Sequence, residues 1–170
     1  MTTLQKNQQP LKLSMLSKKE RYDWLYLDIA KQVSKMSHAR RLQVGSVLVR
    51  DDRILSYGWN GMPIGWDNNC EEEQIESPLR YPPVPTVLVT RPEVLHAESN
   101  CLMKVARSTE TSEGGTMYIT HSPCMECAKL IHQSGIERIV YLDLYRSSIG
   151  LDFLKRCGTK VEQYDRNSRD

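Results

Sequence analysis

Apolar positions recur along the chain with two different periods, and the changes of period divide it into elements. Tyr22, Tyr26, Ile29, Val33 and Met36 fall three and four apart, the spacing of one helix face, and Ser17-Lys18-Lys19-Glu20 before them has the S-x-x-E form of a capping box. A helix is therefore predicted from Ser17 to about Met36. Val44-Gly45-Ser46-Val47-Leu48-Val49 is a β-rich run, and the polar pair Asp51-Asp52 separates it from a second, Arg53-Ile54-Leu55-Ser56-Tyr57-Gly58-Trp59. Together they predict an antiparallel hairpin. Between Asn60 and Leu95 the pattern breaks: Gly61, Pro63, Gly65, Pro78, Pro82, Pro83, Pro85 and Pro92 exclude a long regular element and leave Val87-Leu88-Val89 as a short strand.

Regular patterning resumes at His96, which opens a predicted helix running to about Ser108 with Leu102, Val105 and Ala106 facing inward. Thr116 to Thr120 reads as a strand, followed by a Pro-Cys turn and a helix that Gly135 ends in the position favoured for a left-handed cap. Glu137 to Leu142 reads as a short buried strand, Ile149 to Cys157 as a helix stopped by Gly158, and Lys160 to Tyr164 as a last strand. The order β-β-α-β-α-β-α-β behind an N-terminal helix predicts an α/β fold with a mixed sheet between helix layers. No internal repeat or interdomain linker interrupts it, so a flexible arm over 1–16, one domain over 17–165 and a tail over 166–170 are expected.

Composition narrows the class of function. With 39% apolar and 26% charged residues, the chain is that of a soluble globular protein. A net charge of +2 gives no overall field for coating nucleic acid, so an anionic partner must be held by local basic residues. No stretch approaches a membrane span, and Met1 to Leu16 mixes Gln, Lys and Asn where a secretory signal needs an apolar run. A cytoplasmic location is expected. The five cysteines are an odd set without the spacing of a disulfide framework, which favours a reducing compartment with metal-binding thiols. Cys101 and Cys157 fall on apolar helix faces as small hydrophobes.

The candidate chemistry lies in His96-Ala97-Glu98 and Pro123-Cys124-Met125-Glu126-Cys127, each at the start of a predicted helix. Cys124 and Cys127 share one face of a first turn, where unpaired N–H groups and the helix dipole favour thiolate. His96, Cys124 and Cys127 supply three ligands and leave a fourth tetrahedral position for water, the arrangement of a catalytic zinc site. A C-x-x-C pair alone fits equally a redox pair or half of a structural site, and a closed, non-catalytic zinc module would recruit Cys70 or His121 as its fourth ligand. Glu98, two residues past His96, can flank the metal without ligating it and move protons. Pro123 presets φ for the first helical turn. His121 is placed to line the pocket, His38 and His132 to face solvent, and Trp59 to shape the pocket ahead of Trp66.

His-Ala-Glu followed by Ser122-Pro123-Cys124-Met125-Glu126-Cys127 resembles the cytidine/deoxycytidylate deaminase superfamily. Arg41-Leu42-Gln43-Val44-Gly45, Gly58-Trp59-Asn60-Gly61, His96 to Asn100, Tyr118-Ile119-Thr120 and Tyr141 to Arg146 extend the resemblance to its deoxycytidylate (dCMP) deaminase branch. The resemblance implies a three-layer α/β/α cytidine-deaminase-like fold with a mixed five-stranded sheet, and zinc-dependent hydrolysis of dCMP to dUMP and ammonia, feeding thymidylate synthesis. It places zinc on His96, Cys124 and Cys127 and makes Glu98 the general acid/base. Asn60 falls on the deoxyribose, and Arg41, an always-charged fork, on the 5′-phosphate. The amide of Ala97 and the backbone of Ser122, Pro123 and Cys124 fall around the pyrimidine edge, and Tyr145 and Arg146 near the nucleotide.

The same resemblance implies a homohexamer activated by dCTP and inhibited by dTTP. The loop Asn60 to Cys70 and the run Glu71-Glu72-Glu73 are candidates for a triphosphate–Mg2+ site, against the ordinary reading of an acidic run as a solvated face. Many members of the branch hold a second, structural zinc on ligands before the hairpin, after the Asn-Gly loop and before His-Ala-Glu. Here Ala39 stands at the first station and only Cys70 remains, so one zinc per chain is expected, with Pro78 to Pro85 as the loop's stiffener. Another cytidine or tRNA adenosine deaminase is the neighbouring alternative, and for RNA substrates the balanced charge offers no basic docking surface.

Overall fold

A computed structural model describes residues 16–75 and 86–165. Residues 1–15 of the expected 1–16 arm, the Pro78 to Pro85 stiffener and the 166–170 tail lie outside the described residues. Helix α1 spans Lys18–Ser34, and its capping box is formed: Ser17 N–H donates to the Glu20 carboxylate at 2.8 Å, and Glu20 N–H to the Ser17 hydroxyl at 3.3 Å. The buried stripe of α1 is Asp23, Trp24, Tyr26, Leu27 and Ala30. That stripe lies to one side of the expected face, for Tyr22, Ile29 and Val33 sit at its rim and Met36 is exposed. A polar residue at its centre, Asp23, hid the true stripe from a count of apolar spacings.

Strands β1 (Gly45–Arg50) and β2 (Arg53–Trp59) form the predicted hairpin, closed by Asp51 and Asp52, both at positive φ as a two-residue type I′ turn requires. Two further strands, β3 (Glu71–Ile75) and β4 (Thr86–Thr90), pair with each other in a separate ribbon. Of that ribbon the sequence pattern showed only Val87 to Val89. After α2 (Ala97–Ala106) come β5 (Thr116–His121), α3 (Met125–Gln133), β6 (Arg138–Asp143), α4 (Ile149–Arg156) and β7 (Lys160–Gln163).

The main sheet runs β2-β1-β5-β6-β7, antiparallel through β5 and parallel beyond it, which is the expected mixed five-stranded sheet. Alternation along the strands sends Leu48, Met117, Ile119 and Ile139 to a core shared with α2, α3 and α4, and Val47, Val49, Tyr118 and Val140 to a core under α1. Among the described residues the result is three layers, one helix on one face and three on the other. Two expected inward positions face out: Ala106 in the last turn of α2, and Cys157 at the C-cap of α4. Both stand at helix ends, where the stripe has run past the edge of the sheet. Among the described residues no helix is long and apolar enough to cross a membrane.

This topology places the C-terminal ends of the parallel strands β5 and β6 side by side, His121 opposite Asp143. The loops leaving those ends carry Pro123-Cys124 and Tyr145-Arg146. In open α/β sheets such strand ends are where ligands bind.

Candidate active site

His96 and Cys124 are the N-caps of α2 and α3, both extended, at φ −78°, ψ 155° and φ −69°, ψ 171°. An extended cap followed by helical residues lets His96 and Glu98, only two apart, face one cavity. Close backbone packing brings the two helix starts together. Helix α2 rests on β2 where Gly58 has no side chain; a Cβ there would overlap the Ala97 carbonyl. The Ser46 hydroxyl donates to that carbonyl at 2.8 Å, and the Asn100 carboxamide donates to the Trp59 carbonyl at 2.8 Å. Reciprocal backbone bonds between Gly61 and Leu95 (3.1 and 2.9 Å) set the approach to His96. Gly150 does the same for α4, whose first turn lies against the Pro123 carbonyl.

His96 Nδ1 lies 3.3 Å from Cys127 Sγ and 3.5 Å from Cys124 Sγ. All three ligand atoms are within 4.8 Å of one another, and among the described residues this is the one such grouping. Ligands about 2.0–2.3 Å from a tetrahedral zinc stand roughly 3.5 Å apart, so two sulfurs and one nitrogen at these separations fit zinc with one position open. Cys70 and His121, the candidates for a closing fourth ligand, are not in the group.

Hydrogen bonding distributes the protons of the site. The Cys127 thiol and His96 both donate to Cys124, which lowers its pKa to about 3 against the opposing cost of burial. Cys127 is raised by the same bond to Cys124 and then by burial, and His96 is raised by its bond to Cys124 despite burial. Zinc binds thiolate sulfur and neutral imidazole, so it competes with the protons that these bonds favour on Cys127 and His96. Zinc affinity is expected to rise steeply from pH 6 to pH 8, with proton release on binding. Chelator competition at the two pH values checks this, and equal affinities would contradict it. Glu98 is buried, and burial is the main reason its carboxyl is pushed up to about 7; bonds from its own backbone and from Cys127 pull it partly back.

A cavity of about 480 Å³ opens from this cluster and is lined by Arg41, Asn60, Ala97, Ser122, Tyr145 and Arg146 together with His96, Glu98, His121 and Cys124. Of the expected substrate residues only Pro123 is absent from the wall: it is buried beneath the turn. Asn60 uses its carboxamide locally as well, accepting from Val44 N–H at 2.8 Å and donating to the Leu42 carbonyl at 2.9 Å, so it also fixes the segment carrying Arg41. Ser122, on the wall, is also tied into the fold. Its amide donates to the Asp143 carbonyl at 2.8 Å and its hydroxyl accepts from Tyr145 N–H at 2.8 Å, so it ties the β6 loop to the site. Ala97 N–H sits in the first turn of α2, where amides lack partners within the helix.

Trp59 is not on the cavity wall; it stacks on Tyr57 at 6.3 Å with Lys104 over the pair. His38 is exposed, and His132 packs edge-on against Phe153. Where the branch holds its second zinc, Ala39, Cys70 and Val94 form a small apolar cluster with Met62. Glu71, read as part of a solvated or Mg2+-binding run, is 1% exposed and lines the cavity, whereas Glu72 and Glu73 are exposed. Glu71 is buried because its carboxylate turns to the backbone N–H groups of Arg40 and Arg41, and without knowledge of the ribbon nothing distinguished it from its neighbours. Thr90, also on the wall, carried no signal either.

The family described as the cytidine and deoxycytidylate deaminase zinc-binding region matches residues 20–143. A deoxycytidylate deaminase of Enterobacteria phage T2 is 34% identical, over 79% of this chain and 88% of its own. One from Mycobacterium phage D29 is 38% identical, over 71% of this chain and 95% of its own. Among solved structures, the dCMP deaminase from the cyanophage S-TIM5 in complex with dCMP and dUMP is similar with a TM-score of 0.74 and 35% identity, covering 88% of this chain and 99% of that one.

Proposed function

The chain belongs to the cytidine and deoxycytidylate deaminase family, and on that premise we propose that it hydrolyses dCMP to dUMP and ammonia, a step toward thymidylate synthesis. It is a deaminase, with a zinc-binding region that contains the group His96, Cys124 and Cys127. The observation that carries the dCMP reading is one cavity of about 480 Å³ with His96, Cys124 and Glu98 on its wall together with Arg41. Its volume suits a nucleotide-sized ligand, and the cyanophage relative is one bound to dCMP and dUMP.

His96, Cys124 and Cys127 would hold one zinc ion per chain. Bound there, zinc supplies Lewis acidity that brings the pKa of a coordinated water toward about 7. Glu98 takes one proton from the attacking water and delivers it to the ring N3, then takes the second from the hydroxyl formed on C4 and delivers it to the amine as the C4–N bond breaks and the C4 carbonyl forms. A carboxyl poised at about 7 can both accept and donate near neutral pH. Ala97 N–H, at the open end of α2, holds the pyrimidine edge, Asn60 the deoxyribose, and Tyr145 with Arg146 closes the nucleotide side, the guanidinium lying 5.4 Å over the Tyr145 ring.

Arg41 and not Arg40 faces the substrate. Arg40 is held by Asn69 and by Glu71 and is absent from the cavity wall. Replacing Arg41 with alanine is expected to raise KM for dCMP about 10- to 100-fold, the worth of a charged hydrogen bond to phosphate, and to leave deoxycytidine turnover unchanged. Steady-state ammonia release with both substrates checks it, and equal losses would remove the phosphate assignment. The proposal extends, on the family resemblance, to a homohexamer activated by dCTP and inhibited by dTTP with Mg2+. For such a site Glu72 and Glu73 are the exposed acidic candidates, since Glu71 is committed elsewhere. The same assay with and without each triphosphate tests this extension.

A further inference from the structure

We propose that Glu71, with its cross-strand partner Thr90, is the positioning device for Arg41, and that this one rung of the β3–β4 ribbon sets the preference for a 5′-phosphorylated substrate over a free nucleoside. The inference rests on the assignment of Arg41 to the phosphate.

A buried carboxylate is costly unless it is hydrogen-bonded and its charge is met. Glu71 meets both conditions through the segment that carries Arg41. Its carboxylate accepts the backbone N–H of Arg40 at 3.1 Å on both oxygens and the N–H of Arg41 at 3.2 Å, and the Arg40 Nε lies 3.7 Å away. Glu71 thereby fixes where the backbone of Arg41 stands. The other end of Arg41 is held from the opposite strand: Arg41 Nη1 donates to the Thr90 hydroxyl at 2.8 Å. Glu71 and Thr90 are direct partners in the β3–β4 register, so a single rung grips the amide and the guanidinium of the same residue.

The rung is itself anchored. Arg91 N–H, one residue past Thr90, donates to the carbonyl of Cys70, one residue before Glu71, at 2.9 Å. Cys70 is buried in the apolar cluster with Ala39 and Val94, next to the Arg40-Arg41 segment. A long, rotamer-rich arginine prefixed in this way loses less freedom when it binds phosphate.

Pure electrostatics and positioning predict opposite signs. A carboxylate near a phosphate site repels the ligand, so its neutralisation alone would tighten nucleotide binding. Loss of positioning would weaken it. The test uses the full-length, zinc-loaded enzyme and measures kcat and KM for dCMP and deoxycytidine in Glu71→Gln, Arg41→Ala and the double variant. Glu71→Gln is expected to raise KM for dCMP roughly tenfold, with kcat and deoxycytidine turnover changed by less than about twofold. In the Arg41→Ala background it should add less than about twofold, because the two residues act as one unit. Thr90→Val should shift KM for dCMP in the same direction by a smaller factor. A lowered or unchanged KM for dCMP in Glu71→Gln, equal losses on both substrates, or full additivity with Arg41→Ala would each overturn the inference. Arg41→Ala, scored by itself, decides the phosphate assignment independently. If Glu71→Gln does not fold, Thr90→Val, whose hydrogen bond is at the surface, decides by the same criteria.

Discussion

Replacement of Glu98 by glutamine is expected to reduce ammonia release from dCMP by about 10²- to 10⁴-fold, the usual worth of a positioned general acid–base group, while zinc remains bound. Glutamine matches the volume of Glu98, which matters because the side chain is only 5% exposed in the wall between the two helix starts. It can accept hydrogen bonds from the site but cannot take a proton from water or return one to the amine. The burial that pushes the Glu98 carboxyl to about 7 is also what makes a neutral replacement structurally mild, since no charged group is stranded. Metal analysis alongside turnover separates the two possible failures. Turnover within about tenfold of the wild type at full zinc content would sink the proton-transfer role; lost zinc would make Glu98 a determinant of the metal site instead.

What was legible in the sequence was what is local in the chain. The capping box of α1, the Asp51-Asp52 hairpin and the two helix-start motifs each depend on residues within a few positions of one another, and their geometry follows from helix ends and turns. The zinc group needed one long-range step, joining His96 to Cys124, and the chemistry of the residue types sufficed for it. Residues whose role depends on a distant partner stayed hidden. Glu71 is defined by donors at Arg40 and Arg41, some thirty positions away. Its strand could not be seen in a proline-interrupted segment with an acidic run. The pairing of the Ser122 amide to Asp143 gave no signal, because it exists only once β5 and β6 lie side by side. Asp23 was missed for the same reason, with its principal partner, Arg138, at separation 115.

Asp23 carries the largest expected effect on stability. Arg138 donates to both of its oxygens at 2.7 Å, Tyr118 at 2.7 Å and Tyr164 at 2.6 Å, and Lys19 lies at 3.2 Å. One carboxylate thus ties α1, alone on its face of the sheet among the described residues, to β5, β6 and the segment after β7. Burial raises the pKa of Asp23, but the bonds from Arg138, Tyr164 and Tyr118 outweigh it and hold the carboxyl at about 2. Asp23→Ala leaves a buried guanidinium short of its main partner and is expected to cost about 3–5 kcal/mol of unfolding free energy at pH 7. Because the folded pKa is depressed, the contribution is fully present above the unfolded value near 3.8 and is lost as pH falls through about 2. The gap between wild type and variant should therefore be widest at neutral pH and shrink by about 2 kcal/mol from pH 5 to pH 2. Denaturant unfolding at several pH values measures it, and a gap independent of pH would show that lost packing, not the charge, destabilises the variant. Arg138 begins β6 while the site lies beyond Asp143 at its other end, so kcat of the folded variant at low temperature should match the wild type. Stability and catalysis occupy opposite ends of the same parallel strands, which lets each be perturbed without the other.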